Sequence, residues 1–363
     1  MKKIIKIASI SAIALLFAAC VYDSDFEMPQ DIQPLIMTES IIVGEDTQFP
    51  LAGMLNLPVG ASAQNPVPAA VIVQGSGPSD MDGNMFGVRP YYDIARFLAE
   101  NGIASIRHDK RTLTHISQFD PTWTIYHESI ADAILAAEIL RADPRVDSNR
   151  IYIIGHSLGG MVAPRIHNAG GDFAGLILMA ASPRHLLDIA IEQVAADLTI
   201  QTEMFMQTPE AQVPEILEIA LGQIAEGMQV LEAFAAFSNG LQHMTAQDAM
   251  AIAEPIFGAF AYYWLDLTNN PMHYDLAQID VPMLVLQGAR DFQILADTDF
   301  VLLQETLGNR GNVQFVLYEN LNHMFMPSVA ANFVEHAMEI VGSAGRQVSP
   351  IVLHDIVNWI NQR

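Results

Sequence analysis

Apolar and polar positions along the chain follow two alternating patterns. Short runs of aliphatic and β-branched residues predict buried strands, and apolar residues at helical spacing predict amphipathic helices over residues 91–101 and 129–141. Strands that alternate with helices favour a mainly parallel sheet covered on both faces, so the predicted fold class is α/β. After an opening antiparallel hairpin within residues 40–58, the predicted strands are 69–73, 103–106, 150–154, 175–180, 283–286 and 313–317.

Residues 183–275 interrupt this alternation. The segment is rich in Ala, Met, Leu, Ile and Glu and nearly free of strand patterns, which is typical of several packed helices. Because it lies between two predicted strands, we expect a helical cap above the carboxyl edge of the sheet, where such folds bind ligands. Five methionines between Met204 and Met250 and a set of aromatic residues form either an apolar substrate lining or the core of the cap. The aromatic set is Phe257, Phe260, Tyr262, Tyr263 and Trp264.

A Gly-x-Ser-x-Gly motif stands at residues 155–159, directly after the apolar run 150–154. The small residues that follow it, 160–163, can begin a helix. A sharp turn from a strand into a helix exposes the central serine and holds it in a strained backbone conformation that only small neighbours permit. The motif therefore predicts Ser157 as a nucleophile, although a glycine-rich turn without chemistry has the same letters.

A serine hydroxyl attacks a carbonyl only when a histidine takes its proton and a carboxylate holds that histidine in one tautomer. On this architecture the chain order is Ser, then Asp or Glu, then His. Asp291 follows the predicted strand 283–286 through a tight turn and is the expected orienting carboxylate. Asp297 and Asp299 are rivals that lie farther from the strand end.

His323 follows the predicted strand 313–317 after a short loop, and we predict it as the general base. His336 lies in a predicted helix and His354 in the last one, where packing or solvation is the expected role. His156, beside the serine, is likewise expected to be structural.

An oxyanion needs two backbone N–H donors. One is expected from Leu158, the residue after the nucleophile. The other is expected from the glycine-rich loop 74–78 after the first long strand, with Ser76 as the predicted donor and Gly75 as its rival.

The N-terminus has the pattern of an export signal. Lys2, Lys3 and Lys6 precede an apolar run at 7–17 that is too short to span a bilayer. The run ends in a lipobox-like sequence at Cys20, the one cysteine of the chain, which predicts lipid attachment there; a plain secretory signal with an incidental cysteine is the alternative. The predicted location is the cell envelope, with a periplasmic or secreted soluble form as the alternative.

The predicted division of the chain is 1–19 signal peptide, 20–38 tether, 39–182 first part of the core, 183–275 helical cap and 276–363 second part of the core.

The chain is strongly acidic, with a net charge of −24 over 363 residues, and three of its few basic residues lie in the predicted signal. This balance argues against nucleic acid as a partner and against adhesion to anionic lipid by charge. The expected partners are a small-molecule ester or acyl substrate and, through the lipid on Cys20, a membrane.

Five motifs carry a resemblance to a known family: Gln74-Gly75-Ser76-Gly77-Pro78, Arg107-His108-Asp109-Lys110-Arg111, Gly155-His156-Ser157-Leu158-Gly159-Gly160, Gly288-Ala289-Arg290-Asp291 and Asn322-His323. With these motifs the chain resembles the α/β-hydrolases, in the branch of secreted bacterial serine esterases near the dienelactone-hydrolase-like and serine-aminopeptidase-like groups. That resemblance implies an α/β-hydrolase fold and a Ser-His-Asp mechanism through an acyl-enzyme, without a metal or another cofactor. Asp109 and Arg111 are expected to fix a loop.

The predicted function is hydrolysis of a carboxylic ester. A thioesterase, an acyltransferase or an aminopeptidase would use the same three residues and differ in leaving group and acceptor. An aminopeptidase needs an acidic group for the substrate amine, for which Glu192, Glu203 or Glu232 are candidates. A binding lipoprotein without catalysis is the alternative from another class.

Overall fold

The computed structural model describes residues 36–206, 213–342 and 344–363. The predicted signal peptide and Cys20 lie outside the described residues. Residues 36–38, which the sequence assigns to the end of the tether, belong to the first strand.

The described residues form one eight-stranded sheet in the order β1-β2-β4-β3-β5-β6-β7-β8. The pairs β1–β2 and β2–β4 are antiparallel, and every other neighbouring pair is parallel. The predicted mainly parallel sheet with an opening hairpin is therefore confirmed. The strands are β1 Ile36–Val43, β2 Leu51–Pro58, β3 Val67–Val73, β4 Ala104–His108, β5 Val146–His156, β6 Gly175–Met179, β7 Met283–Gly288 and β8 Val313–Tyr318.

Twelve α-helices are described. Short π-helical turns at Tyr126–Ile130 and Ala296–Phe300 lead into α3 and α10, and another at His167–Gly171 follows α4. The helices are α1 Pro90–Glu100, α2 Arg111–Thr114, α3 Ala131–Ala142, α4 Leu158–Ile166, α5 Leu186–Met206, α6 Val213–Leu241, α7 Ala246–Met250, α8 Ala261–Asn269, α9 Met272–Leu276, α10 Val301–Leu307, α11 Phe333–Val341 and α12 Pro350–Asn361.

Helices cover both faces of the sheet, because successive side chains of a buried strand point to opposite sides. In β3, Val71 and Val73 belong to the core that contains α3 and α4. Ala70 and Ile72 belong to the core that contains α1 and α12. This arrangement explains why central strands such as β3 and β6 are continuous, fully buried runs rather than alternating ones.

Helices α5–α9, within the described residues 186–206 and 213–276, form a helical insertion between β6 and β7. Arg165 on α4 binds the carboxylate of Asp266 on α8 through two hydrogen bonds of 2.9 Å, which ties the insertion to the core. None of the described helices combines the length and the apolar character needed to cross a lipid bilayer.

Candidate active site

Ser157 stands at the sharp turn between β5 and α4. Its backbone has φ 54° and ψ −122°, a conformation that costs a non-glycine residue about 1–3 kcal/mol. A methyl group on Gly155 would collide with the backbone of Gly159, and one on Gly159 would collide with the carbonyl oxygen of Val73. The Ser157 N–H donates to the Met179 carbonyl oxygen at 2.8 Å. The packing of β3, β5 and β6 thus holds the turn in place.

Asp291 and His323 are in direct contact. His323 Nδ1 lies 2.8 Å from Asp291 Oδ2, and both side chains are almost completely buried. The other oxygen, Asp291 Oδ1, accepts the backbone N–H groups of Gln293 at 2.8 Å and Ile294 at 3.0 Å. Burial alone would raise the pKa of Asp291, but His323 and these donors lower it below the ordinary value. Asp291 is therefore an ionised carboxylate that accepts a hydrogen bond from the Nδ1–H of His323.

Two amide side chains support this pair. Gln287 Nε2 donates to Asp291 Oδ2 at 3.0 Å, and Gln287 is itself 1 % exposed. Asn322 Oδ1 accepts the backbone N–H groups of Met324 and Met326, both at 3.0 Å. The loop that carries His323 is therefore closed by its own hydrogen bonds.

The two rival carboxylates have other surroundings. Asp297 is exposed to solvent. Asp299 is fully buried, and it accepts hydrogen bonds from the side chains of Ser182 and Arg184 and from the Leu295 N–H. Asp299 thus fastens the start of the helical insertion and does not contact His323.

The glycine-rich loop after β3 is held against the nucleophile from two sides. The Gly75 N–H donates to Tyr91 Oη at 3.0 Å, and Lys110 Nζ donates to the Gly75 carbonyl oxygen at 2.7 Å. Because the Gly75 N–H is already bonded, Ser76 is the better candidate in this loop for an oxyanion donor. Leu158 is the first residue of α4, where backbone N–H groups lack partners within the helix.

A chain of hydrogen bonds joins this loop to the loop of His323. The Gly75 N–H can only donate, so Tyr91 Oη accepts it and donates its own proton to His156 Nδ1 at 3.0 Å. His156 Nε2 then carries its proton and donates to the His323 carbonyl oxygen at 2.9 Å. Burial raises the pKa of Tyr91 and lowers that of His156 to about 3, so both rings are neutral.

We expect Tyr91→Phe to lower kcat about 10- to 100-fold with little change in KM. The substitution leaves the Gly75 N–H and His156 Nδ1 without partners, at a cost of about 1–3 kcal/mol for each buried group. Steady-state kinetics and thermal melting measure the two effects. Tyr92→Phe, the neighbouring tyrosine on α1 that packs against Arg89, is the matched control. A lower melting temperature with unchanged kcat would show that the hydrogen-bond chain serves stability alone.

Lys110 and Glu128 form a buried ion pair at the edge of the site. Lys110 Nζ lies 2.6 Å from Glu128 Oε1, and the two side chains are 2 % and 5 % exposed. Tyr263 also hydrogen-bonds Glu128, and burial raises the pKa of that tyrosine well above its ordinary value. Glu128 is therefore fully engaged by partners from the core and from the insertion. Nearby, Asp109 accepts the Met81 N–H at 2.8 Å, a contact that fixes the loop.

Arg111 pairs with Asp132 in the buried interior, so it also holds the loop rather than facing a substrate. In the described part of the chain no cluster of three or more His, Cys, Asp or Glu side chains could hold a metal ion.

Ser157 and His323 line one cavity of about 410 Å³ between the sheet edge and the helical insertion. Four of the five aromatic residues singled out in the insertion line it, and Tyr262 does not. None of the five methionines between Met204 and Met250 is among the described lining residues. The lining is mostly apolar, with the aromatic residues Phe119, Trp123, Phe234, Phe257, Phe260, Tyr263 and Trp264.

The acidic residues considered for an amine site lie elsewhere. Glu192 pairs with Arg184 at 2.7 Å, and Glu203 and Glu232 are exposed. Glu128 is the one carboxylate among the described lining residues, and its partners already satisfy it.

Tyr91, Lys110 and His336 were not predicted as parts of the site. Tyr91 occupies the apolar face of an amphipathic helix. The periodicity of apolar residues therefore predicts that its ring is buried but does not predict a role for its hydroxyl group. A signal did exist for Lys110, since it is the single lysine beyond the predicted signal peptide and follows a buried strand. His336 lies on a helical face among apolar residues, where the sequence favours packing.

Comparisons with known proteins show which family the chain belongs to. A family model described as serine aminopeptidase, S33, matches residues 87–327. Esterase EstD of Thermotoga maritima is 29 % identical over 316 residues, which is 86 % of this chain and 66 % of that protein, so the chain spans just under two thirds of this relative.

The fold is also found among solved structures. A candidate dipeptidyl aminopeptidase IV from Bacteroides ovatus has a TM-score of 0.53 and 13 % identity, over 93 % of this chain and 37 % of that one. Est1E from Butyrivibrio proteoclasticus has a TM-score of 0.46 and 13 % identity, over 84 % of this chain and 96 % of that one. At 13 % identity the likeness to the Bacteroides ovatus structure concerns the fold alone. With a family model that matches most of its length, the chain belongs to the serine aminopeptidase S33 family, and its fold is that of the α/β-hydrolases.

Proposed function

We propose that the protein hydrolyses carboxylic esters through an acyl-enzyme formed on Ser157. The observation that carries the proposal is the 2.8 Å contact between His323 Nδ1 and Asp291 Oδ2 beside a cavity that Ser157 and His323 both line. Membership of a serine hydrolase family and the similarity to an esterase support the same chemistry.

Each residue has a separate role in this mechanism. Asp291 accepts a hydrogen bond from the Nδ1–H of His323, so the lone pair of His323 lies on Nε2 and can take the proton of Ser157 Oγ. Oγ attacks the ester carbonyl, and the N–H groups of Ser76 and Leu158 stabilise the negative oxygen of the tetrahedral intermediate. His323 then protonates the leaving alcohol, and a water molecule activated by the same histidine releases the acid.

The electrostatics of the cavity favour an ester over an aminopeptidase substrate. A free substrate amine needs an unpaired carboxylate, whereas Glu128 is bonded to Lys110 and Tyr263. An uncharged ester needs no such partner. A thioesterase and an acyltransferase are alternatives that differ in the leaving group or the acceptor.

The test compares substrates on the chain that begins after Cys20. We expect hydrolysis of p-nitrophenyl acetate or butyrate, little hydrolysis of leucine p-nitroanilide, and labelling of Ser157 by a fluorophosphonate. Faster cleavage of the anilide would favour an aminopeptidase. Folded protein with neither hydrolysis nor labelling would favour a binding lipoprotein.

We further propose that the protein is exported and anchored by a lipid on Cys20. The basic and apolar pattern of residues 2–17 and the position of Cys20 support this. In a bacterial host the full chain should enter the detergent phase in Triton X-114, and Cys20→Ser should move it to the aqueous phase. Equal partitioning of both forms would refute the anchor.

A further inference from the structure

Three histidines are among the described residues that line the cavity, and one of them makes no hydrogen bond through its ring. His156 uses both ring nitrogens in the hydrogen-bond chain, and His323 Nδ1 is bonded to Asp291. His336, on α11, is 1 % exposed and lines the same cavity. Neither of its ring nitrogens has a hydrogen-bond partner among the described residues.

An unpartnered imidazole in this place is costly. Each buried polar group without a partner destabilises a protein by about 1–3 kcal/mol. The surroundings suit an apolar side chain: Phe292 lies at 6.2 Å between ring centroids, and Ile340 occupies the same helical face and packs with Met324. A buried histidine that no described protein group satisfies needs an explanation, and a ligand bound in the adjoining cavity supplies one.

The protonation state of His336 limits what that ligand can be. Burial lowers its pKa to about 4; His323 lowers it further, while Asp291 and Glu339 oppose the shift. Near neutral pH the ring is uncharged and offers one N–H donor and one acceptor nitrogen. A hydroxyl group, which both donates and accepts, matches either nitrogen, whereas an anion would use only the donor and a cation only the acceptor.

The rest of the cavity restricts the ligand further. Among the described residues no Lys or Arg lines it, and its one carboxylate, Glu128, is already paired. Aromatic side chains from the insertion and from the loop before α3 line it, together with aliphatic residues. The bound molecule is therefore uncharged and largely apolar, with a polar substituent that reaches His336.

We propose that His336 is a substrate-binding residue that holds a hydroxyl group of an uncharged, largely apolar ester during attack by Ser157. This inference rests on the proposed ester hydrolysis. It adds a specificity: the preferred esters are hydroxylated, for example a phenol on the acyl or the alcohol half.

The experiment measures kcat/KM for hydroxylated esters against their unsubstituted parents. The panel contains methyl phenylpropanoate with its 2-, 3- and 4-hydroxy isomers, and benzyl acetate with its three hydroxybenzyl isomers. We expect the wild type to favour at least one isomer about 10- to 100-fold over its parent. His336→Phe should bring that ratio to about 1, and His336→Gln should restore part of it.

His354→Phe is the matched control, because His354 is an exposed histidine of α12 whose ring contacts Phe97 outside the cavity. For His354→Phe, the ratio of kcat/KM between a hydroxylated ester and its parent should equal that of the wild type. Because His336 is already neutral, the wild-type ratio should be constant between pH 6 and 9. No preference for any isomer, or a preference that survives His336→Phe in folded protein, would overturn the inference and leave His336 with solvent as its only partner.

A binding measurement, called the binding arm, tests this inference independently of the proposed function. Calorimetry on Ser157→Ala, which needs no turnover, should give tighter binding of a hydroxylated panel member than of its parent, and His336→Gln should weaken that difference less than His336→Phe does. Equal binding of the two ligands overturns the role of His336 even if esters are hydrolysed. A wild type that hydrolyses no ester defeats the proposed function, while the binding arm still decides the role of His336.

Discussion

Alanine in place of Ser157 is expected to lower kcat for p-nitrophenyl butyrate by about 10⁴- to 10⁶-fold. The reason is the loss of the side-chain hydroxyl at the β5–α4 turn, which lies beside Gly75 and lines the same cavity as His323. The substitution also relieves no strain, since alanine at φ 54° remains unfavourable, so the melting temperature should change little.

The measurement is steady-state hydrolysis together with fluorophosphonate labelling. Ser40→Ala, an exposed serine on the edge strand β1, is the control and should keep wild-type activity. Ester hydrolysis by Ser157→Ala within tenfold of the wild type would exclude Ser157 as the nucleophile and with it the proposed mechanism.

Asn in place of Asp291 is expected to lower kcat about 10⁴-fold, although the two side chains have the same shape. Two backbone N–H groups, from Gln293 and Ile294, point at Oδ1, so the amide oxygen of Asn must take that position. The amide NH₂ then faces His323 Nδ1 and forces the lone pair onto that nitrogen. The proton moves to Nε2, where it prevents the ring from accepting the proton of Ser157.

The decrease in kcat caused by Asp291→Asn should be the same at every pH between 6 and 9. The pKa of Asp291 is below its ordinary value, so the wild-type carboxylate is ionised throughout this range. Rates at several pH values measure this. Asp297→Asn, at an exposed position six residues later, is the control and should leave kcat unchanged. A decrease of less than tenfold in Asp291→Asn would mean that another group orients His323.

Much of the fold follows from local patterns in the sequence. The buried strands were predicted because runs such as 69–73 and 283–286 are continuously apolar, and a parallel sheet buries both faces of a strand. Ser157, Asp291 and His323 were predicted because each follows such a run at the carboxyl edge of the sheet. Their assignment to catalysis stays a prediction until the variants are made.

The sequence could not predict the contacts that join distant loops. Tyr91 and His156 are 65 residues apart, and the hydrogen bond between them depends on how α1 crosses the sheet. Lys110 and His336 face the site for the same reason: their side chains are directed by tertiary packing, which no local pattern records. The roles of the aromatic residues in the insertion were ambiguous because lining and core residues have the same apolar character.

The backbone conformation of Ser157 links reactivity to folding. An isolated chain has no reason to adopt φ 54° at a serine, so the turn exists only while β3, β5, β6 and α4 are packed around it. Local unfolding of the β5–α4 turn should therefore abolish the reactivity of the Ser157 hydroxyl at a lower temperature than global unfolding. The rate of labelling by a fluorophosphonate would then report whether this corner of the sheet is folded under native conditions.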